Sequence, residues 1–293
     1  MRIEDRPKLA SFSTLRLGGT GRVIYYPGST RDLEQVMARE KDTQGRIIYL
    51  GAGSNTLFAA GEHNLALVRW NGTRGIEIQH AEQNEIVVRV EGNVRLPRLV
   101  GWCVSRGFSG LEPLAGIPGT VGGAVAMNAG SHGLEISEVL KSIRVWSPGK
   151  EEQDIPSSAL NTGYREMKIP GRPSFLITAA WFVLQKSSKR LVKSKARDWF
   201  KRKLAVQPVL ERTIGCIFKN MQDVSSGKVL DELGFRGRCL GGVCFSRKHA
   251  NFLVHKENGS PEAAMELINS ASQAIKREKG LEPELEIRIE PCP

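Results

Sequence analysis

The feature that most constrains this chain is a glycine-dense run, Ala115-Gly116-Ile117-Pro118-Gly119-Thr120-Val121-Gly122-Gly123-Ala124, followed closely by Met127-Asn128-Ala129-Gly130. Glycine weakens regular elements, so such a run belongs where the main chain turns tightly or approaches a ligand. A shorter run, Tyr49-Leu50-Gly51-Ala52-Gly53-Ser54-Asn55, directly follows an apolar strand segment. It begins like a dinucleotide-binding fingerprint and then breaks it: Thr56 stands where the third glycine belongs, and no amphipathic helix follows. Gly227-Lys228 is followed by Val229, so a P-loop is excluded. Singly, each run reads as tight turns in a β-rich domain. Together, in a basic chain, they point to a pyrophosphate-binding domain of non-Rossmann type, with successive amides forming the anion cradle.

The net charge is +11, on a composition of 40% hydrophobic and 25% charged residues that excludes disordered and fibrous classes. The excess is local. Residues 186–203 hold nine basic residues and one acid, a net +8. That marks one helix with a solvated face, whose end at Lys201 to Lys203 lies close in sequence to the C-terminal domain and is placed to draw in an anionic small molecule. Trp199 and Phe200 fall on helical spacing with Val192 and Ala196, which makes them a core-facing stripe and not a base-stacking platform. No nucleic-acid partner is expected. The longest apolar run, Leu176 to Leu184, is nine residues, against the roughly 20 needed to span a bilayer, and no secretory signal precedes it. No membrane partner is expected. The cysteines, Cys103, Cys216, Cys239, Cys244 and Cys292, are odd in number and scattered, which reads as reduced thiols in a cytoplasm. Cys239 and Cys244 flank a Gly-Gly turn at a spacing that fits no metal site, so no metal is expected.

At 293 residues the chain exceeds one usual core. Strands are expected at Val23–Tyr26, Ile47–Leu50, Leu65–Arg69, Ile86–Val90 and Ser174–Leu184. Helices are expected from Arg31 to Glu40, N-capped by Thr30, and from Arg95 to Arg106, ending at Gly107. The last third differs in character. It holds a short segment Ile217–Lys219, a helix near Gly227–Leu233, strands at Val243–Phe245 and Phe252–His255, and a helix from Pro261 to Lys279 between Ser260 and Gly280. A strand near Leu285–Ile289 ends the chain. The class is α+β, with a boundary between Gln185 and Gln207.

The motifs, taken in order, resemble those of the UDP-N-acetylenolpyruvoylglucosamine reductase family. They are Thr14-Leu15-Arg16-Leu17-Gly18-Gly19, Leu50 to Asn55, Gly110-Leu111-Glu112 leading into Ala115 to Gly123, Met127 to Gly130, Tyr164-Arg165, Gln207-Pro208, Gly215-Cys216-Ile217-Phe218-Lys219-Asn220, Lys248-His249-Ala250-Asn251-Phe252 and Leu281-Glu282-Pro283-Glu284. They cover nearly the whole chain, and the length matches the shorter form of the family. The resemblance implies a two-part FAD-binding domain of the vanillyl-alcohol-oxidase type, at 1–68 and 69–196, and a C-terminal α+β substrate-binding domain at 197–293. It places FAD, bound non-covalently, against Gly51, Gly53, Ser54, Asn55, Gly116, Pro118, Gly119, Gly122, Gly123, Asn128 and Gly130. NADPH would be the co-substrate, and the substrate would contact Gln207, Lys219 and Asn220. The oligomeric state stays open, with a monomer among the possibilities.

The implied reaction has two steps. NADPH gives a hydride to flavin N5, and the hydride then passes to the vinyl ether carbon of the enolpyruvyl group. Negative charge spreads into the adjacent carboxylate as an enolate, which calls for a cationic or hydrogen-bonding clamp and then a general acid. By resemblance Arg165 and Glu284 stabilise the enolate, and Glu284 would have to be protonated or share a proton with the substrate. Arginine suits a carboxylate because its planar fork donates in parallel. Cys216 stands where the family usually has serine, and a thiol is the stronger acid, so Cys216 is expected to be the proton donor. On residue type alone Arg165 reads as an exposed loop arginine, Glu284 as a solvated residue and Cys216 as a small buried one. His249 reads as a turn-capping residue ahead of a catalytic one. Four positions leave the family pattern: Met167 for serine, Met221 for proline, His255 for asparagine and Glu286 for arginine. They keep a second reading in view, a divergent FAD-binding paralogue with another substrate. A nucleic-acid-binding protein is a third reading, resting on charge alone.

Overall fold

The computed structural model describes residues 1–73, 75–221 and 224–291. The chain forms two compact units, interleaved in sequence. The first comprises Met1–Glu4, Val23–Ala52 and Ala66–Arg202, and the second Asp5–Arg22, Gly53–Leu65 and the chain from Lys203 onward. The units run differently from the three segments expected from sequence, because residues 5–22 and 53–65 pack with the C-terminal part.

The first unit carries two large sheets and, among the described residues, two short two-stranded ribbons. A four-stranded sheet has the order Arg2–Asp5, Val23–Tyr26, Leu65–Val68, Arg46–Tyr49, with Val23–Tyr26 and Leu65–Val68 parallel. Helix α1 (Thr30–Glu40) packs Leu33 and Val36 beneath it, beside Val23, Tyr25, Ala66, Val68 and Trp146. Each buried aliphatic side chain contributes roughly 1.5–3 kcal/mol. The N-cap of α1 is Ser29 and not Thr30: Ser29 Oγ accepts from Asp32 N. Thr30 already has helical position, one residue too far along to receive that amide.

The larger sheet is antiparallel, ordered Lys150–Pro156, Leu140–Ser147, Leu176–Lys186, Glu85–Glu91, Ile76–Ala81, with Phe108–Ser109 also pairing to Leu176–Lys186. Helices α2 (Leu96–Arg106) and α3 (Val121–Ala126) cover it, burying Leu96, Leu99, Val100, Val121 and Val125 with Val88, Val90, Ile143 and Phe182. Gly107 ends α2 in the left-handed conformation, φ +77°. Helix α4 (Lys189–Val206) carries the basic run. Val192 and Ala196 are buried and Phe200 packs on the same core, so the expected stripe faces inward. Trp199 stacks on His132 with ring centroids 4.6 Å apart.

In the second unit an antiparallel sheet has the order Arg212–Cys216, Phe252–His255, Val243–Phe245, Cys239–Leu240. Helices α5 (Ser226–Glu232) and α6 (Pro261–Lys279) pack on it through Val229, Leu230, Ala264, Leu267, Ile268 and Ala271. Ser260 caps α6 and Gly280 stops it, as the sequence predicts. The terminal strand is Arg288–Glu290, three residues later than expected, and it runs parallel to Thr56–Phe58. Leu285 instead forms an isolated bridge to Phe218.

One cysteine expectation is corrected. Cys239 and Cys244 form a disulfide. Gly241 and Gly242, at φ +48° and +78°, make a two-residue turn that sets the two cysteines opposite one another, Cα atoms 4.0 Å apart. Cys103 is buried and holds a thiol whose pKa is pushed up to about 12, by burial first and by Glu112 second. Cys292 lies outside the described residues. Among the described residues no helix is long and apolar enough to cross a membrane, and no cluster of three His, Cys, Asp or Glu could hold a metal ion.

Candidate active site

The two glycine runs meet in the first unit. A Cβ built on Gly51 would lie 2.5 Å from Thr120 Oγ1, so any larger residue at 51 would push the loops apart. Thr120 N-caps α3, its Oγ1 accepting from Gly123 N. Gly122 N donates to Gly92 O at 2.8 Å, and its Cα faces Ile177 O and Gly92 O. The amide of Gly122 is therefore spent on packing α3 against the sheet, and that of Gly123 on the helix cap. Pro118 has no N–H. Gly116 and Gly119 differ: they take φ +83° and +129°, and among the described residues their amides donate to no protein group. Unspent amides on a left-handed turn, with no side chain in the way, fit a pyrophosphate. FAD thus suits this loop through Gly116 and Gly119 more than through Gly122 or Gly123.

Gly53 takes φ +65° in the second unit, its carbonyl accepting from Thr14 N at 3.0 Å. Thr14 Oγ1 also donates to Thr213 O at 2.6 Å, so the Thr14-Leu15-Arg16 motif fixes this loop beside the strand that leads to Cys216. Ser54 lies in the same loop. Asn55 departs from its expected role. Its Nδ2 donates to Glu286 O at 2.9 Å and its own carbonyl accepts from Arg288 N. It ties down the segment that carries Glu284.

Arg165 occupies the second position of a two-residue turn between strands Asn161–Gly163 and Glu166–Lys168. Its φ is +57°, its guanidinium donates to Gly130 O at 3.0 Å, and it lies over the Tyr164 ring, 5.0 Å from the centroid. Gly130 is needed here: a Cβ would lie 2.9 Å from Arg165 Nη1 and 2.9 Å from Leu134 O. Asn128 is 1% exposed and fully engaged by protein. Its Nδ2 donates to Glu135 Oε2 at 2.6 Å and Gly163 O at 2.9 Å, and its Oδ1 accepts from Ser137 N at 3.2 Å. Both of its N–H donors are directed at protein acceptors.

In the second unit the segment just after Cys216 pairs with the segment that carries Glu284. Lys219 N donates to Glu284 O and Glu286 N to Ile217 O, both at 2.8 Å. Lys219 Nζ lies 2.5 Å from Glu284 Oε1, the lysine side chain 19% and the glutamate 71% exposed. The Glu284 side chain is therefore paired with Lys219. Cys216 is partly buried, opposite Phe252. Asn251, 2% exposed, clamps this strand: Nδ2 donates to Phe218 O at 2.8 Å and Oδ1 accepts from Phe218 N at 3.0 Å. His249 caps the turn before it. Asn251 N donates to His249 Nδ1 at 3.3 Å, and burial, then the Arg236 charge, holds the imidazole pKa below its ordinary value. Asn220 Oδ1 accepts from Ser226 N at the start of α5, and Gln207 closes α4 through its amide to Lys203 O.

The four departures sit in structural positions. Met167 and Met221 are buried in the cores of the first and second units. His255 joins Leu15 O through Nδ1 at 3.0 Å and accepts from Gly259 N at Nε2, which selects the neutral Nδ1–H tautomer. Glu286 contributes its backbone to the Ile217 ladder.

Residues 22–152 match the family model described as an FAD binding domain, and residues 207–290 match that of the UDP-N-acetylenolpyruvoylglucosamine reductase C-terminal domain. The chain is 38% identical over 291 residues to the UDP-N-acetylenolpyruvoylglucosamine reductase of Nitratidesulfovibrio vulgaris, covering 99% of this chain and 98% of that one. It is 40% identical to the one of Oleidesulfovibrio alaskensis, covering 97% of each. The solved UDP-N-acetylenolpyruvylglucosamine reductase of Thermus caldophilus superposes with a TM-score of 0.85 at 28% identity, over 99% of this chain and 100% of that chain. The architecture is an FAD-binding domain with a C-terminal α+β domain. The chain belongs to the UDP-N-acetylenolpyruvoylglucosamine reductase family of FAD-dependent oxidoreductases.

Proposed function

We propose that this protein reduces the enolpyruvyl group of UDP-N-acetylenolpyruvoylglucosamine, with NADPH as reductant, to give UDP-N-acetylmuramate for peptidoglycan precursor synthesis in the cytoplasm. FAD, when bound, supplies the hydride relay between the two substrates. Gly51, Gly116 and Gly119 would hold its pyrophosphate. Arg165 donates in parallel to the substrate carboxylate as charge builds there, where a preorganised donor is worth most. Cys216 protonates the neighbouring carbon, and the thiolate it leaves is stable enough at neutral pH for the proton to be restored from solvent. Lys219 and Glu284 work as a coupled pair: the ammonium attracts the anionic substrate, and Glu284, once released and protonated from solvent, donates a hydrogen bond to the enolate. Gln207 and Asn220 complete the substrate contacts.

The observation that carries this reading is in the second unit: Cys216 ends the strand Arg212–Cys216, and three residues on Lys219 is joined to Glu284 by a backbone bond and an ion pair. The test is spectroscopic. The purified protein should be yellow, NADPH should bleach it, and UDP-N-acetylenolpyruvoylglucosamine should restore the colour. Cys216→Ser should retain colour return within about tenfold, while Cys216→Ala loses it by about 10²–10⁴-fold. A colourless protein that FAD cannot reconstitute overturns the reading. Bleaching without restoration assigns the chain to a paralogue with another substrate. Wild-type colour return in Cys216→Ala removes Cys216 from the mechanism.

A further inference from the structure

The Tyr164-Arg165 turn is held in a conformation its own residues do not favour. The second position of such a turn usually goes to glycine or asparagine when φ is positive, yet here it is an arginine at φ +57°. Left-handed backbone is disfavoured at a residue with a Cβ, which crowds the following carbonyl oxygen. Within the hairpin around Arg165, Met167 is the one side chain buried in the core. The hairpin has three residue pairs, and Asn161, Thr162, Gly163 and Tyr164 are all exposed. A two-stranded ladder this short is marginal alone.

We infer that Asn128 is a positioning residue for Arg165, acting through the Gly163 carbonyl to keep the arginine turn in its left-handed form. The inference rests on the reading of Arg165 as the enolate-stabilising group. Asn128 suits the task by its donor and acceptor count. A carboxamide offers two N–H donors and an acceptor oxygen, and here the donors reach Glu135 Oε2 and Gly163 O while the oxygen takes Ser137 N. Asparagine also tolerates the left-handed backbone, φ +43°, that aims the amide this way. Glu135 is itself fixed, since its amide donates to Glu138 Oε1 at 2.6 Å. The arginine turn is thus anchored to a buried asparagine 35 residues upstream, and that asparagine is anchored to a capped 3-10 turn.

A double variant separates this role from simple folding. In Asn128→Asp with Glu135→Gln, the carboxamide introduced at position 135 donates to the carboxylate introduced at position 128. That carboxylate still accepts from Ser137 N, and the lost bond is the one to Gly163 O. Glu135→Gln alone keeps all three bonds. FAD affinity, bleaching by NADPH and colour return with UDP-N-acetylenolpyruvoylglucosamine are measured separately by stopped flow, beside Arg165→Ala. In the double variant, FAD affinity and bleaching should stay within about twofold, and colour return should slow by about 10–100-fold. Adding Arg165→Ala to it should slow colour return no further than Arg165→Ala does alone, because the two act as a unit. Hydrogen exchange should rise in residues 161–168 and not in 140–147.

Lost FAD affinity in the double variant makes Asn128 a cofactor contact and overturns the inference. Wild-type colour return in the double variant, with Arg165→Ala impaired, overturns it while leaving the reading of Arg165 standing. Unchanged exchange at 161–168 also overturns it. Wild-type colour return in Arg165→Ala defeats the reading of Arg165 first and the inference with it.

Discussion

Arg165 and Glu284 are assigned to the same charge, yet the chain holds them in opposite ways. Arg165 sits on a strained turn whose guanidinium, flanking carbonyl and steric neighbour are each fixed by another residue. Glu284 has its backbone in a ladder, but its side chain is 71% exposed and leans on a flexible lysine. A group that must meet charge the moment it forms gains from preorganisation. A group that must change partner or proton state gains from a weak hold. The difference sets a rigidly held donor against an exchangeable ion pair.

The comparison breaks most sharply at Gly130. Alanine there would place a Cβ 2.9 Å from both Arg165 Nη1 and Leu134 O. Displacing the arginine by about 1 Å should slow colour return about 10²-fold with FAD still bound, measured by stopped flow. A variant at wild-type rate would show that the turn is not rigid. The exchangeable pair should behave otherwise. Lys219→Met should weaken substrate binding about tenfold, the loss of one charge-assisted bond. Urea unfolding should move by less than about 0.5 kcal/mol, because an ion pair with an exposed partner contributes little. A larger loss of stability would make the pair structural.

The smallest effect concerns pH. His249 is held neutral by burial and by Arg236, so the unfolded chain takes up a proton the folded one resists. Stability should therefore fall as pH drops through the ordinary histidine value of 6.5 and level off below the folded pKa. The Asn251 N–H bond to Nδ1 is lost with protonation. Thermal midpoints recorded across this range should flatten in His249→Asn; an unchanged slope would place the titration elsewhere.

Much of the fold is legible in the sequence because apolar periodicity and caps are local signals. Val23–Tyr26, Val243–Phe245, Phe252–His255 and α6 follow the expected bounds, and α2 does so to within a residue. The hairpin that carries Arg165 is not legible as structure: Asn161 to Lys168 is short and polar, with Met167 its one buried side chain. Only the Tyr-Arg motif marks it. The asparagine clamps are hidden for another reason. Asn55, Asn128 and Asn251 bond to carbonyls 231, 35 and 33 residues away. Glycine-rich composition marks the loops of the first two, but only tertiary structure shows that their amides point at protein. The disulfide escapes a test of metal-ligand spacing, because what pairs the two cysteines is the strand register on either side of the Gly-Gly turn.

The interleaving of the two units constrains how the chain can fold as it is made. Residues 5–22 and 53–65 belong with the chain from Lys203 onward. Their partners emerge from the ribosome about 140–200 residues later, a delay of roughly seven to forty seconds at ordinary synthesis rates. During that time Leu15, Leu17 and Leu57, all buried in the finished second unit, have no native surface to cover them. The first unit can assemble in sequence from residue 66 to 202, while these leucines depend on chaperones or on transient cover. Early truncation would therefore leave a nascent chain with sticky N-terminal segments, and a slow stretch of translation before Lys203 would lengthen their exposure.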